Sequence, residues 1–123
     1  MYKRIHRTLD EKNKGDQKMD KTEVINIAEQ FASVVMKKYD CAGIILFGSY
    51  AKNNYRTDSD IDVAVILKNY DKFMNIQLEL MRLRRKIDSR IEPHLFKISD
   101  FNDNNPLVHE IKKFGEKINI NVA

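Results

Sequence analysis

The chain has 123 residues, of which 42% are hydrophobic and 33% charged, a composition that indicates one soluble globular domain with its own core. No apolar run approaches the roughly 18 residues that a membrane-spanning helix requires. The N-terminus lacks the apolar stretch of a secretory signal. The single cysteine, Cys41, excludes an internal disulfide, and we read it as a small apolar residue of a cytoplasmic protein.

The net charge of +4 is concentrated at the start of the chain. Residues 1–18 contain six Lys or Arg and three Asp or Glu, which gives +3 and leaves +1 for residues 19–123. A nearly neutral body is weak support for a duplex-binding surface, so a nucleic-acid partner is not expected. Because the leading segment is charged and poor in large apolar residues, we expect residues 1–19 to be a flexible extension of a domain at 20–123, with Met19 an alternative start.

Apolar periodicity and cap residues predict alternating helices and strands. The first helix begins at Asp20, and Glu23 three residues later completes the pattern of a capping box. The predicted elements are this helix to about residue 39, a strand at 42–47, a helical turn at 49–52, a polar loop at 53–59, a strand at 61–67, a helix at 70–88, a strand at 90–96, a helix at 106–114 and a short edge strand that includes Ile118 and Ile120. This order indicates an α/β (α+β) fold with a mixed sheet of three to four strands.

Three residues refine this scheme. Pro93 lies inside a predicted strand, which favours an edge position or a bulge because proline has no backbone N–H. Gly115 is expected to end the last helix. In the helix at 70–88 the apolar residues at helical spacing, with Phe73 the first of them, predict one buried face.

The most informative segment joins two predicted strands. Gly48-Ser49 is followed, after ten residues, by Asp60-Ile61-Asp62. Alternate residues of a strand point to the same face, so the carboxylates of Asp60 and Asp62 are expected side by side. Two such groups repel each other unless a cation lies between them, and Mg²⁺ prefers oxygen ligands. Glu92, on the next predicted strand, is the best third acid for a site with two ions about 3.5–4 Å apart.

The residues around these acids suit a phosphate group. Gly48 permits a close backbone approach, and Ser49 offers a hydroxyl at the start of a turn. Lys52 and Arg56 could neutralise a triphosphate. Each feature also has an ordinary interpretation: a Gly-Ser turn, a solvated Asp-x-Asp pair, or mobile loop cations. Asp58 fits that interpretation best, as a loop residue that caps its own backbone.

The remaining polar candidates carry less weight. His94 is expected to share a strand face with Glu92, where it would contact substrate or orient the glutamate, although an ordinary packed or exposed histidine is the favoured interpretation. His6 and His109 have no companions at metal-ligand spacing. The basic cluster at 82–86 lies late in a predicted helix, where cations complement the helix dipole, and a solvated face is favoured there.

Together, Gly48-Ser49 and Asp60-Ile61-Asp62 resemble the signature of the DNA polymerase β-like nucleotidyltransferase superfamily, and more narrowly the minimal nucleotidyltransferases. The order of elements over about residues 20–120 follows the same family. The resemblance implies transfer of NMP from an NTP, most simply ATP, to a hydroxyl. It implies that Asp60 and Asp62 hold two Mg²⁺ ions, that Glu92 holds one of them, and that Gly48 and Ser49 bind the terminal phosphates.

Two departures from the family pattern are visible. Lys52-Asn53 stands where relatives often have Arg-Gly, and asparagine tolerates the left-handed backbone that glycine supplies. The third acid is Glu92 in place of the commoner aspartate.

A core of this size has no second domain to bind an acceptor, so a partner protein or a second copy of the chain would provide that surface. Minimal nucleotidyltransferases often work beside a helical HEPN protein in toxin–antitoxin pairs. The resemblance therefore implies an MntA-like antitoxin that adenylylates a tyrosine of a HEPN toxin. The alternatives are a small-molecule enzyme of the aminoglycoside type and a partner-binding antitoxin without catalysis. Nucleic-acid polymerisation ranks last.

Overall fold

The computed structural model of the chain describes residues 20–56 and 58–120. The expected extension at 1–19 and the alternative start at Met19 lie outside these residues. The elements in chain order are α1 (Lys21–Lys38), β1 (Cys41–Phe47), β2 (Ile61–Leu67), α2 (Phe73–Arg84), β3 (Ile91–Lys97), a short 3-10 helix (Ile98–Asp100), α3 (Pro106–Phe114) and β4 (Glu116–Lys117).

The four strands form one mixed sheet in the order β3-β2-β1-β4. Strand β1 is antiparallel to both β2 and β4, whereas β2 and β3 are parallel. This architecture confirms the predicted mixed sheet of three to four strands with helices against it. Within the described residues, no helix has both the length and the apolar character needed to cross a membrane.

The start of α1 follows from its cap. The backbone N–H of Glu23 donates to Asp20 Oδ1 (2.9 Å), and the N–H of Asp20 donates to Glu23 Oε1 (3.0 Å), as in the predicted capping box. Phe31 and the other apolar residues of the inner face are fully buried against the sheet. The cap therefore fixes where the helix begins, and the apolar stripe determines which face of the helix packs against the sheet.

Helix α2 is shorter at both ends than the predicted 70–88. At its start, Lys72 has an extended backbone (φ −117°, ψ 98°), so the helix begins only at Phe73. Beyond Arg84 the backbone tightens into turns, because the N–H of Ile87 bonds Arg84 O at 2.9 Å, three residues back. Phe73, expected on the buried face, is 45% exposed.

Strand β3 lies at one edge of the sheet, as Pro93 predicted. Pro93 is paired with Val63 of β2, and its carbonyl accepts a hydrogen bond from Gln77 Nε2 on α2 (3.1 Å). Because the backbone polar groups of Pro93 face away from β2, the missing N–H removes no hydrogen bond between the two strands.

The strand at the opposite edge of the sheet, β4, begins earlier in the sequence than predicted. Gly115 ends α3 as expected, but β4 pairs Glu116 and Lys117 with β1, two residues before Ile118. The reason is the close approach of Gly115 to β1, where an added Cβ would collide with the Ile45 side chain. Ile118 is buried, and its N–H donates to the carbonyl of Ile44 at 2.9 Å.

The sheet separates two apolar layers. The larger layer lies under α1 and α2 and includes Ile61, Val63 and Val65 of β2. The smaller layer lies under α3, with Ala64 and Ile66 of β2 packed near Ile111. Strict alternation along β2 thus sends odd-numbered side chains to one layer and even-numbered ones to the other.

Cys41 begins β1 and is partly buried. Burial, helped by the negative charge of Asp40, raises the pKa of its thiol to about 11. The thiol is therefore protonated at neutral pH, as expected of a small apolar residue.

Candidate active site

The segment after β1 folds into successive hydrogen-bonded turns, and the first of them, closed by a hydrogen bond between residues four apart, covers the short helical turn predicted at 49–52. The N–H of Lys52 donates to Gly48 O (3.1 Å), and the N–H of Asn54 donates to Ser49 O (3.0 Å). Gly48 (φ 78°) and Asn53 (φ 62°) both adopt left-handed backbone conformations at the two ends of this turn. Asn53 therefore takes the conformation expected of it in place of glycine.

The turn is anchored by a residue that sequence reasoning did not single out. Tyr50 is fully buried and stacks on Tyr55, with ring centroids 4.4 Å apart. Its burial raises the pKa of the phenol. From the other side, Lys21 of α1 donates to the carbonyl of Ala51 (3.4 Å) and pairs with Glu116 (3.1 Å). The turn after β1 is thus held by Tyr50, which is buried in the core, and by Lys21 of α1.

The register of the sheet brings two of the predicted acids together. Asp62 of β2 is the direct partner of Glu92 on parallel β3 and of Phe47 on β1. Side chains of paired residues point to the same face, so Asp62 and Glu92 are neighbours at the end of the sheet where the turn begins. Asp60 precedes β2 and is exposed.

Glu92 has a cation beside it. Arg84, at the end of α2, donates from Nη1 to Ile91 O (2.8 Å), and the same atom lies 3.7 Å from Glu92 Oε1. Across residues 20–56 and 58–120, no group of three His, Cys, Asp or Glu side chains is already arranged to hold a metal ion. The assignment of Asp60, Asp62 and Glu92 as metal ligands therefore stays a prediction.

Gly48 and Asp62 are in contact. A Cβ built on Gly48 would overlap Asp62 Oδ2 and lie 3.2 Å from Asp62 Cγ. Only a glycine permits this approach, and its left-handed φ disfavours other residues independently. The Gly-Ser turn and Asp62, the second acid of the Asp-x-Asp pair, are therefore adjacent in the fold.

His94 contacts Asp62 and not the glutamate that sequence reasoning considered. Its Nε2 lies 3.1 Å from Asp62 Oδ1, and its ring meets the ring of Phe47 edge to face at 4.9 Å. His94 does share a face with Glu92, as expected. The contact between His94 and Asp62 could not be predicted from residue types alone, because it depends on the register of β2 against β3.

Of the two predicted nucleotide-binding cations, Lys52 is paired with an acid outside the predicted site, and Arg56 lies in the loop before Asp60. Lys52 Nζ lies 3.3 Å from Glu110 Oε2 on α3, and 5.2 Å from the centre of the Phe114 ring. Arg56 is exposed, and its backbone N–H donates to Ser59 Oγ (2.7 Å). Their role as phosphate ligands stays a prediction, as does that of Gly48 and Ser49.

Comparison with known proteins identifies the family. The chain matches the family model described as Polymerase beta, Nucleotidyltransferase over residues 29–121. MJ0141 of Methanocaldococcus jannaschii, which is named as a candidate protein adenylyltransferase, is 32% identical over 82 residues, covering 61% of this chain and 81% of that protein.

Solved structures share the fold. A candidate nucleotidyltransferase from Sulfolobus solfataricus superposes with a TM-score of 0.57 at 18% identity, over 79% of this chain and 80% of the other. A toxin–antitoxin complex with AMP-PNP gives 0.57 at 22% identity, over 76% and 72%. A mutant of the MntA-HpeT toxin–antitoxin pair gives 0.53 at 19% identity, over 81% and 73%. The chain therefore belongs to the Polymerase beta nucleotidyltransferase family, as its Gly48-Ser49 and Asp60-Ile61-Asp62 motifs predicted, and it is a nucleotidyltransferase.

Proposed function

We propose that the protein is an antitoxin that transfers AMP from Mg·ATP to a tyrosine hydroxyl of a helical HEPN-type toxin. The observation that carries the proposal is the contact between Gly48 and Asp62, with Glu92 paired beside it, because it unites a phosphate-sized turn with two carboxylates. The relative MJ0141 is named for protein adenylylation, and two structural neighbours are toxin–antitoxin assemblies. These likenesses support the acceptor class.

The donor atoms fit magnesium. Asp60, Asp62 and Glu92 offer only carboxylate oxygens, which Mg²⁺ prefers, and Asp62 Oδ2 lies beside a residue that has no side chain. In the proposed site, Asp60 and Asp62 hold two ions and Glu92 holds one of them. Bound Mg²⁺ would offset the charge of the triphosphate and of the transition state.

The remaining steps are assigned to the chain itself. Backbone N–H groups of the turn at Gly48 and Ser49 hold the terminal phosphates. Lys52 exchanges its contact with Glu110 for phosphate, and Arg56 adds a second positive charge. A bond forms between the tyrosine oxygen and the α-phosphorus, while the bond to the β-phosphate breaks and its electron pair leaves with pyrophosphate. Glu92 receives the phenolic proton.

The acceptor is proposed to be a protein because MJ0141 is named for protein adenylylation and two structural neighbours are complexes with a toxin. A partner, or a second copy of this chain in a homodimer, would complete the acceptor side of the site. A cytoplasmic location is part of the proposal, because ATP is the proposed substrate and the sequence has a single cysteine, which suits a reducing compartment.

Intact-mass measurement of the co-purified toxin, before and after addition of Mg·ATP, tests the proposal. We expect the toxin to gain the mass of one AMP or more with the wild-type protein and none with Asp60→Ala/Asp62→Ala. Asp58→Ala, which removes an exposed neighbouring acid, is the matched control and should transfer normally.

Two outcomes would replace the proposal. An unchanged toxin mass, together with full neutralisation by the double variant, would establish a binding antitoxin without catalysis. Transfer of AMP to an aminoglycoside and not to the toxin would establish a small-molecule enzyme. Replacing ATP by the other nucleoside triphosphates in the same measurement gives the base preference.

A further inference from the structure

The contact between His94 and Asp62 is not explained by packing alone. Both side chains are only partly buried, and the Nε2–Oδ1 distance of 3.1 Å is that of a hydrogen bond. A carboxylate only accepts hydrogen bonds, so Nε2 carries the hydrogen and donates it. This pair occurs at a residue that the proposed function makes a metal ligand.

The strand register explains how the two residues meet. His94 is the direct partner of Ala64 on β2, and Asp62 is the next residue along that face. The side chain of Ala64 is too small to stand between them, so the imidazole reaches diagonally to the carboxylate. The ring of Phe47 packs against the imidazole edge to face and limits its rotation.

The carboxylate of Asp62 is thereby bounded at both oxygens. His94 bonds Oδ1, and the backbone of Gly48 lies against Oδ2, close enough that a Cβ would overlap that atom. A carboxylate bounded on one side only could turn about its terminal torsion, which is broad and soft. Oδ1 is thus occupied by His94, and Oδ2 is the oxygen that lies next to the turn.

We propose that His94 is a positioning residue for Asp62: its Nε2–H fixes the carboxylate so that the oxygen beside Gly48 is presented to a divalent cation. The inference rests on the proposed function, since it assumes that Asp62 binds metal. Hydrogen-bonding partners of metal ligands affect metal affinity by about 10–100-fold when they are removed. His94 touches neither substrate nor metal in this assignment and acts only through Asp62.

The test is Mn²⁺ binding to the full chain without nucleotide, followed by water-proton relaxation, so that no turnover is needed. His94→Ala is expected to weaken Mn²⁺ binding by about 10-fold or more. His94→Gln places an amide N–H near the position of Nε2 and should restore most of the affinity, whereas the shorter His94→Asn should not. His109→Ala, on the exposed side of α3, is the matched control and should bind as wild type.

Two reference measurements separate the possible failures. If Asp62→Ala binds Mn²⁺ as well as wild type, the metal site of the proposed function is wrong. If Asp62→Ala loses binding but His94→Ala does not, or if Gln and Asn behave alike, the role of His94 is wrong. A ¹⁵N imidazole spectrum gives an independent signature: the Nε2–H tautomer is expected for His94, and the Nδ1–H tautomer would overturn the hydrogen bond. Melting temperatures close to wild type show that the variants are folded.

Discussion

The two faces of β2 differ in burial, although their side chains alternate along one strand of seven residues. On the face under α1 and α2, Ile61, Val63 and Val65 are all fully buried. On the face under α3, Asp62 is partly exposed beside the turn, and only Ala64 and Ile66 are buried. Under the proposed function, the residues of β2 that stabilise the fold and the residue that binds the metal are different ones, so single substitutions can test stability and activity separately.

Asp62→Asn should have the largest effect, and on catalysis only. The substitution keeps the shape of the side chain and an acceptor for His94, but it removes the negative charge with which Asp62 is proposed to bind Mg²⁺. We expect nucleotidyl transfer to fall by at least about 100-fold, while the melting temperature stays the same or rises because Glu92 loses a like-charged neighbour. Asp58→Asn is the control, and a comparable loss there would contradict the assignment.

Phe31→Ala should have the opposite effect. Phe31 is fully buried in the layer under α1, and its truncation should lower the free energy of unfolding by about 3–5 kcal/mol, measured by urea denaturation. Phe73→Ala, at a phenylalanine that is 45% exposed, should change it little. Transfer rates of the folded Phe31→Ala fraction should be near normal; a selective loss of activity would mean that the two faces are coupled.

Gly48→Ala should affect both properties, because Gly48 contacts the site and has a strained φ for other residues. The left-handed backbone costs roughly 1–2 kcal/mol, and the new Cβ must displace the Asp62 carboxylate. We therefore expect lower stability and slower transfer together. Gly43→Ala is the matched control, since its Cβ would meet only Ile66 Cδ1 at 3.9 Å. Equal effects at the two glycines would remove the special role of Gly48.

Asn53→Ala should have the smallest effect of the four. Asn53 has φ 62°, and alanine lacks the polar side chain that eases this conformation, so a loss of about 1 kcal/mol is expected. Asn53→Gly should be neutral or slightly stabilising in the same urea titration. Alanine at the exposed neighbour Asn54 should do nothing, and an effect there equal to that at Asn53 would argue against backbone strain.

Much of the fold could be predicted because its signals are local. The capping box at Asp20, the aliphatic runs of β1 and β2, and Pro93 at a sheet edge each depend on a few neighbouring residues. The predicted end of α2 was wrong because the change to hydrogen bonds between residues three apart, after Arg84, does not alter the spacing of the apolar residues. The predicted start of β4 was wrong because it depends on the contact of Gly115 with Ile45 of β1, about 70 residues earlier in the chain.

In the candidate site, too, some features could be predicted from the sequence and others could not. Glu92 was predicted as the third acid from its place on the strand after Asp62, and the register makes the two residues direct partners, whereas their role as metal ligands stays a prediction. The partner of His94 and the contact of Lys52 with Glu110 were not predicted, because each joins residues far apart in the chain through side-chain directions. Tyr50 was overlooked since a lone tyrosine in a turn gives no sign of full burial.

The edge strand β3 has a consequence for self-assembly. An open sheet edge can recruit a strand from another molecule through its free backbone groups. At the middle of β3, Pro93 has no N–H to offer, and its carbonyl is already bonded to Gln77. A second copy of the chain would find neither donor nor acceptor there, so a homodimer is not expected to form by a continuous sheet across β3.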